Sequence, residues 1–322
     1  MNKKILVTPR TFGKADPVPM QMLKEAGCEV ISNPYGRLLT EDEISELIQE
    51  VDGIIVGLDP LNASVLSKAK RLKAISKYGV GVNNIDLEYA SQRGIVVANT
   101  PGANSLAVAE LAIGLMFAVS RRICVSDRNI REGKWQQYPG LQIKGKVMGL
   151  VGTGQIGRHT GELARGLGME VICYDLHPDE EWAESIGARY VPLPEIITDA
   201  DFISIHVPLT DDTFHLISST ELDQMKPSAV VINTARGGII DEEALYEALK
   251  DGKIAGAGLD VFETEPLTDS KLLELDNVVL TSHIGAHTRE ATENMGRLAA
   301  ANLLAILRGE IPQYTVNQIQ IK

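Results

Sequence analysis

Cysteine is scarce: Cys28, Cys124 and Cys173 are the only three in 322 residues, far apart and in no CxxC spacing. This excludes a disulfide framework, argues against a cysteine-built zinc site and suits a reducing compartment. A basic surplus is also missing. With 31 Lys and Arg against 43 Asp and Glu, the net charge of −12 is the wrong sign for a phosphate-backbone partner, so no nucleic acid is expected. A small acidic substrate stays compatible, because a single Arg or Lys sets the local sign. Long apolar runs are absent as well; the most apolar stretch, 106–119, is shorter than a membrane span and contains Glu110. The opening Met-Asn-Lys-Lys leads straight into Ile5-Leu6-Val7 without the apolar core of a signal peptide. The expectation is a cytoplasmic chain with no membrane partner.

What is present is alternation. Short β-branched runs at 4–8, 29–31, 53–56, 72–76 and 95–98 are separated by helical patterns, and Thr40 and Glu43 are spaced as a capping box for a helix to about residue 50. Turn formers Asn99-Thr100-Pro101-Gly102 break the pattern, and an apolar helix to Ser120 follows, ending in Arg121 and Arg122. A second series of strands is expected at 147–151, 170–174, 202–207, 229–233, 255–261 and 278–282, then an amphipathic helix after Ala286 and a strand-like tail at 314–317. Length and pattern predict an α/β protein of two domains with parallel sheets. The last helix can cross back onto the first unit, which leaves the middle unit as an insertion.

After the strand 147–151 stands Gly152-Thr153-Gly154-Gln155-Ile156-Gly157. Gly152 permits a tight turn, Gly154 lets the backbone approach a pyrophosphate, and Gly157 lets strand and helix close together. The next strand ends at Asp175, eighteen residues beyond Gly157, where a carboxylate accepts from the adenosine ribose hydroxyls of NAD and repels the 2′-phosphate of NADP. The structural alternative is that Asp175 caps the following turn.

Three more polar residues lie past predicted strand ends of this unit, where open α/β sheets hold ligands. Arg236 follows 230–234, Glu265 follows the strand ending at Val261, and His283 follows 278–282. Oxidising a 2-hydroxy acid needs a base for the hydroxyl proton, which suits a histidine; a carboxylate orients its ring, and an arginine fork binds the substrate carboxylate. Each has a structural explanation alone: a core histidine, a turn residue before Pro266, an interdomain ion pair. Their shared sheet edge, next to a dinucleotide loop, points to chemistry. The other five histidines form no pair with metal-ligand spacing, so no catalytic metal is expected.

The chain resembles the D-isomer-specific 2-hydroxyacid dehydrogenases, especially the short D-3-phosphoglycerate dehydrogenases. The matching blocks are 78–86, 99–102, 152–157, 233–238, 258–262 with Glu265-Pro266, and 282–286, in family order. The resemblance implies a flavodoxin-like substrate domain (1–98 with 287–322) and an inserted Rossmann NAD-binding domain (99–286). It implies that Val80 and Gly81, with Arg236 and His283, hold the substrate. Cofactor contacts would come from Gly154, Gln155, Ile156, Asp175, Val207, Pro208, Thr234, Ala235, Arg236, Asp260, His283, Gly285 and Ala286, with Asp260 and Thr234 at the nicotinamide. A homodimer through an arm at 131–138 is also implied. One departure concerns the substrate: where phosphoglycerate enzymes often carry arginine, this chain reads Gly57-Leu58-Asp59-Pro60. A phosphate beside Asp59 would need a cation such as Lys77, or Arg131 and Lys134 of a dimer mate. 3-Phosphoglycerate is the leading expectation, reduction of hydroxypyruvate or glyoxylate the alternative, and a non-catalytic NAD(H)-sensing protein the rival of another class.

Overall fold

The computed structural model describes residues 2–318, and the chain divides into two compact units, 1–104 with 286–322 and 105–285. These limits lie within a few residues of the turn formers at 99–102 and of Ala286. Each unit is built on one parallel sheet.

In the first unit β1 (Lys3–Val7), β2 (Cys28–Ser32), β3 (Gly53–Val56), β4 (Ala74–Lys77) and β5 (Val96–Ala98) are all parallel in the order β2-β1-β3-β4-β5, the flavodoxin-like order. Successive residues of a strand face opposite sides, and here both sides are covered. Leu6, Ile54, Val56 and Ile75 meet Ile44, Ile48 and Leu66, whereas Ile5, Val7, Ile55 and Ala74 meet Ala299 and Leu303 of the closing helix Arg289–Leu307. That explains the lack of polar alternation in these strands. The capping box forms as expected, with Thr40 Oγ1 accepting from the Glu43 amide and Glu43 from the Thr40 amide, but its helix ends at Leu47. The tail at 314–317 makes one bridge, Thr315 to Ala98, rather than a strand.

The second unit holds β6 (Val147–Val151), β7 (Glu170–Tyr174), β8 (Arg189–Tyr190), β9 (Phe202–Ile205), β10 (Val230–Asn233), β11 (Gly256–Leu259) and β12 (Val278–Leu280). All are parallel, in the order β12-β11-β10-β9-β6-β7-β8. This is the Rossmann order with one strand added, and the order reverses between β6 and β9. The apolar helix Ser105–Ser120 lies against β10 and β11. Gly256 and Gly258 clear its seat: a Cβ on the first would stand 2.6 Å from Val119 Cγ1, and one on the second 2.9 Å from Leu115 Cβ.

Two elements escape sequence reasoning. β8 has only two residues, too few for a period. The helix Ile123–Arg131 follows the long helix after a left-handed Arg122 (φ 53°), where the basic pair reads simply as a helix end. Strands β9, β11 and β12 stop a little short of expectation, because the residues that follow have already turned away to form the sheet's rim.

Candidate active site

The carboxyl ends of β10, β11 and β12 place three loops side by side. Asn233, at the end of β10 and 2% exposed, folds the first around its own side chain: Oδ1 accepts from the Ala235 amide (3.0 Å) and Nδ2 donates to the Arg236 carbonyl (2.8 Å). Arg236 is thereby set on the rim, with Nη1 donating to the Ala235 carbonyl at 2.6 Å. The next residue touches the second loop directly. A Cβ on Gly237 would stand 1.9 Å from the carbonyl carbon and oxygen of Phe262, so the Arg236 and Glu265 loops are in backbone contact.

Asp260, 1% exposed, organises the third loop. Oδ1 accepts from Thr281 Oγ1 (2.6 Å) and the Ile284 amide (2.8 Å), and Oδ2 accepts from the Gly285 amide (2.8 Å). Held this way, His283 takes a left-handed backbone (φ 53°) while its amide donates to the Asp260 carbonyl at 2.9 Å. That conformation costs a non-glycine residue about 1–2 kcal/mol, and such strain persists where the surroundings over-determine it. Asp260, implied by resemblance to be a nicotinamide contact, is thus also the residue that shapes the histidine turn.

Across these loops His283 Nδ1 lies 2.8 Å from Glu265 Oε2, and the Phe262 amide donates to Glu265 Oε1 at 3.2 Å. Burial opposes ionisation of Glu265, but the hydrogen bond and charge of His283, the Phe262 amide and the Arg236 charge outweigh it and hold the carboxyl below its ordinary range. Burial pushes the Arg236 guanidinium down, and the Glu265 charge opposes that. An imidazole fixed at Nδ1 by a carboxylate presents Nε2 for proton exchange. Arg236, Glu265 and His283 therefore come together on one rim. Sequence reasoning missed Asn233, Gly237 and the structural work of Asp260, although a buried polar residue ending an apolar strand was a usable signal.

Beside them the switch between β6 and β9 carries the glycine loop. Gly152 (φ 97°) leaves no room for a Cβ, which would meet the His206 carbonyl at 2.8 Å and Val207 Cγ1 at 2.9 Å; one on Gly157 would stand 2.1 Å from the Gly152 oxygen. At Gly154 nothing lies within 4 Å, so the open side of the loop faces outward from the N-terminus of the helix Gln155–Gly166, whose cap is this glycine and whose first amides have no side-chain acceptor there. Such an arrangement receives a pyrophosphate. Asp175 Oδ2 accepts from the Thr153 amide (2.7 Å) and Oγ1 (3.0 Å), and Oδ1 from the His177 amide (2.9 Å). It caps its turn and steadies the loop at once. Burial raises its carboxyl, but these donors lower it further than burial raises it. Burial also pushes the neighbouring Cys173 thiol up to about 12, with Asp175 and Glu180 adding to the effect. The buried Thr234 Oγ1 has no hydrogen-bond partner among the described residues, an acceptor or donor left for a polar ligand. Glycine loop, acidic strand end and orphaned hydroxyl together fit a dinucleotide.

Residues 113–285 match the model of the D-isomer specific 2-hydroxyacid dehydrogenase NAD binding domain. The chain belongs to that family. It is 43% identical to a glyoxylate reductase of Thermococcus litoralis over 92% of this chain and 95% of that one. It is 42% identical to a D-3-phosphoglycerate dehydrogenase of Methanocaldococcus jannaschii over 99% of this chain but 60% of that longer protein. The TT0316 protein of Thermus thermophilus superposes with a TM-score of 0.88 at 38% identity, covering 97% of this chain and 99% of that one. This D-2-hydroxyacid dehydrogenase is accordingly an NAD-dependent enzyme, and none of its described helices is long and apolar enough to cross a membrane.

Of the remaining expected residues, Val207 and Pro208 follow β9 beside the glycine loop, and Gly285 closes the His283 turn. Val80 and Gly81 lie in the first unit after β4. No described residue accepts from their amides, whereas Asn99 Nδ2 secures the Val80 carbonyl at 2.8 Å. Asp59 is 1% exposed and turned inward, accepting from Thr8 Oγ1 and from the Leu39 amide at 2.8 Å. Lys77, 3% exposed, donates to the Gly57 carbonyl and to Asn84 Oδ1 (2.8 Å).

Proposed function

We propose that the enzyme reduces short, unphosphorylated 2-oxo acids, glyoxylate and hydroxypyruvate, to D-2-hydroxy acids with NADH, and oxidises the products in reverse. The observation that carries the chemistry is the 2.8 Å contact of His283 Nδ1 with Glu265 on the rim that also bears Arg236. His283 Nε2 donates a proton to the carbonyl oxygen during reduction and takes it back from the hydroxyl during oxidation. Glu265 fixes the tautomer and stabilises the imidazolium, and Arg236 pairs with the carboxylate and polarises the carbonyl. The amides of Val80 and Gly81, which no described residue engages, suit a carboxylate in their own right. Bound NAD would supply the hydride acceptor or donor. Gly154, Gln155 and Ile156 would take its pyrophosphate, Asp175 its ribose, Val207 and Pro208 its adenosine end, and Thr234, Ala235, Asp260, Gly285 and Ala286 its nicotinamide end.

Support for an unphosphorylated substrate comes from the cations a phosphate would need. Lys77 is committed to main chain and Asn84; Arg131 and Lys134 pair with Asp127 and Glu132 on their own segment at 2.8 and 2.7 Å. The Thermococcus litoralis relative, matched over most of both chains, also bears the name of a glyoxylate reductase. NADH oxidation should therefore proceed with a kcat/KM at least about 10-fold higher for glyoxylate or hydroxypyruvate than for phosphohydroxypyruvate, the difference one unmet charge contact makes. The reverse ranking would restore 3-phosphoglycerate as substrate, the reading favoured by the Methanocaldococcus relative.

Asp175→Ala should narrow the NADH over NADPH preference by about 10-fold or more, since the carboxylate repels the 2′-phosphate. Loosening of the loop through Thr153 would lower both rates together, so the ratio isolates the charge. A homodimer is supported by Ile123, Ile130 and Trp135, which are 51, 53 and 85% exposed on the helix Ile123–Arg131 and the arm that follows.

A further inference from the structure

We infer that Glu242 is a positioning residue for the proton-transfer pair, clamping the loop that presents Glu265 to His283. The inference rests on the reading of Glu265 and His283 given above. Glu242 opens the helix Glu242–Lys250, whose cap is already supplied by Asp241: its Oδ1 accepts from the Glu243 and Ala244 amides at 3.1 Å each. The Glu242 carboxylate is therefore not needed as a cap, and it turns the other way. Its Oε1 accepts from the Glu263 amide at 2.6 Å, while Glu263 Oε1 accepts from the Glu242 amide at 3.2 Å. Each residue's side chain thus holds the other's main chain.

Glu263 is anchored in turn. His215 Nε2 lies 3.1 Å from Glu263 Oε1, its ring is stacked on Phe214 with centroids 3.9 Å apart, and its Nδ1 is 3.7 Å from Asp241 Oδ2. The two ring nitrogens lie nearest different carboxylates, so the ring braces Glu263 against Asp241. The loop 262–265 is then gripped from two sides, by Gly237 against the Phe262 carbonyl and by Glu242 on the Glu263 amide. Between those grips the Phe262 amide meets Glu265 Oε1. Burial raises the Glu242 carboxyl, the Glu263 amide lowers it, and the charges of Glu263 and Glu265 raise it. A half-buried acid beside two others is an unfavourable placement, and what it gains there is the grip on this loop.

The test compares Glu242→Ala, Glu242→Gln and Glu242→Asp, each also on a Glu265→Ala background. Glu242→Ala should lower kcat with glyoxylate by about 10-fold, as a small misplacement of a catalytic group does, with KM for NADH within about 2-fold. Glu242→Gln keeps an oxygen acceptor at the same reach and should recover kcat to within about 3-fold of the parent. Glu242→Asp keeps the charge but not the reach and should behave like Ala; it carries the comparison if the Ala chain does not fold. On the Glu265→Ala background the Glu242 substitutions should cost less than about 2-fold, because coupled residues are not additive. Equal losses on both backgrounds, an unchanged kcat in Glu242→Ala, or a Gln variant as poor as Ala would overturn the proposal. A second readout is independent of turnover. In 15N-histidine spectra the His283 Nδ1 signal of Glu242→Ala should move toward that of Glu265→Ala, and an unmoved signal would overturn the clamp. Absence of turnover in the parent enzyme would instead strike at the proposed function, leaving this spectrum to decide the clamp.

Discussion

His283→Ala is expected to lower kcat for glyoxylate reduction by about 1,000-fold, within the range general acid–base groups contribute, with the Kd for NADH within about 3-fold. The dinucleotide loop is formed by Gly152–Gly157 and Asp175, whose hydrogen bonds run to Thr153 and His177 rather than to His283. The backbone supplies a control. Alanine at φ 53° keeps a left-handed strain of about 1–2 kcal/mol, whereas asparagine visits that region more readily. His283→Asn should therefore be the more stable variant in a thermal melt and just as inactive. If Asn restored turnover, or if both variants lost NADH binding in proportion to rate, the histidine would be a structural residue.

Gly237→Ala should be nearly as damaging without removing any functional group. The added carbon would overlap the Phe262 carbonyl at 1.9 Å, a distance no side-chain rearrangement relieves because the obstacle is main chain. The Arg236 loop, the Glu265 loop or both must shift, and displacement of reacting groups by about 1 Å costs about 100-fold. The expected result is a kcat/KM for glyoxylate lower by about 100-fold with affinity for NADH largely kept. Gly238→Ala offers a comparison: its φ of 79° disfavours alanine, but its nearest neighbour is the Phe214 ring edge at 3.5 Å, so no backbone collision follows. Equal activity of the Gly237 variant and the parent would mean that the two loops move apart freely.

Much of this was legible in the sequence because it depends on local pattern. Both parallel sheets follow from β-branched runs such as Ile54-Ile55-Val56, and the glycine loop and Asp175 from their spacing. The three rim residues were legible as a set but not as a geometry, since nothing in the order of Arg236, Glu265 and His283 says that a ring nitrogen meets a carboxylate oxygen at 2.8 Å. Less legible were the residues acting through main chain. Asn233 and Gly237 stand in the sequence only as members of the block 233–238, and Asp260 only as an implied nicotinamide contact, because the partners that Gly237 and Asp260 hold in the fold lie on loops distant in the chain. Asp59 was misleading in the opposite way: as sequence it is a charge near the substrate, whereas in the fold it faces Thr8 and Leu39. A side chain's direction at a strand end is set by tertiary neighbours rather than by period.

The thiol of Cys173 gives the molecule a practical property. Buried and pushed up to about 12, it stays protonated across the working pH range, and Cys28 is buried as well, which leaves Cys124 as the exposed thiol. Only the thiolate attacks electrophiles. A maleimide dye offered to the native protein should thus attach at Cys124 alone, giving a single-label handle on the second unit with no cysteine engineered in or out.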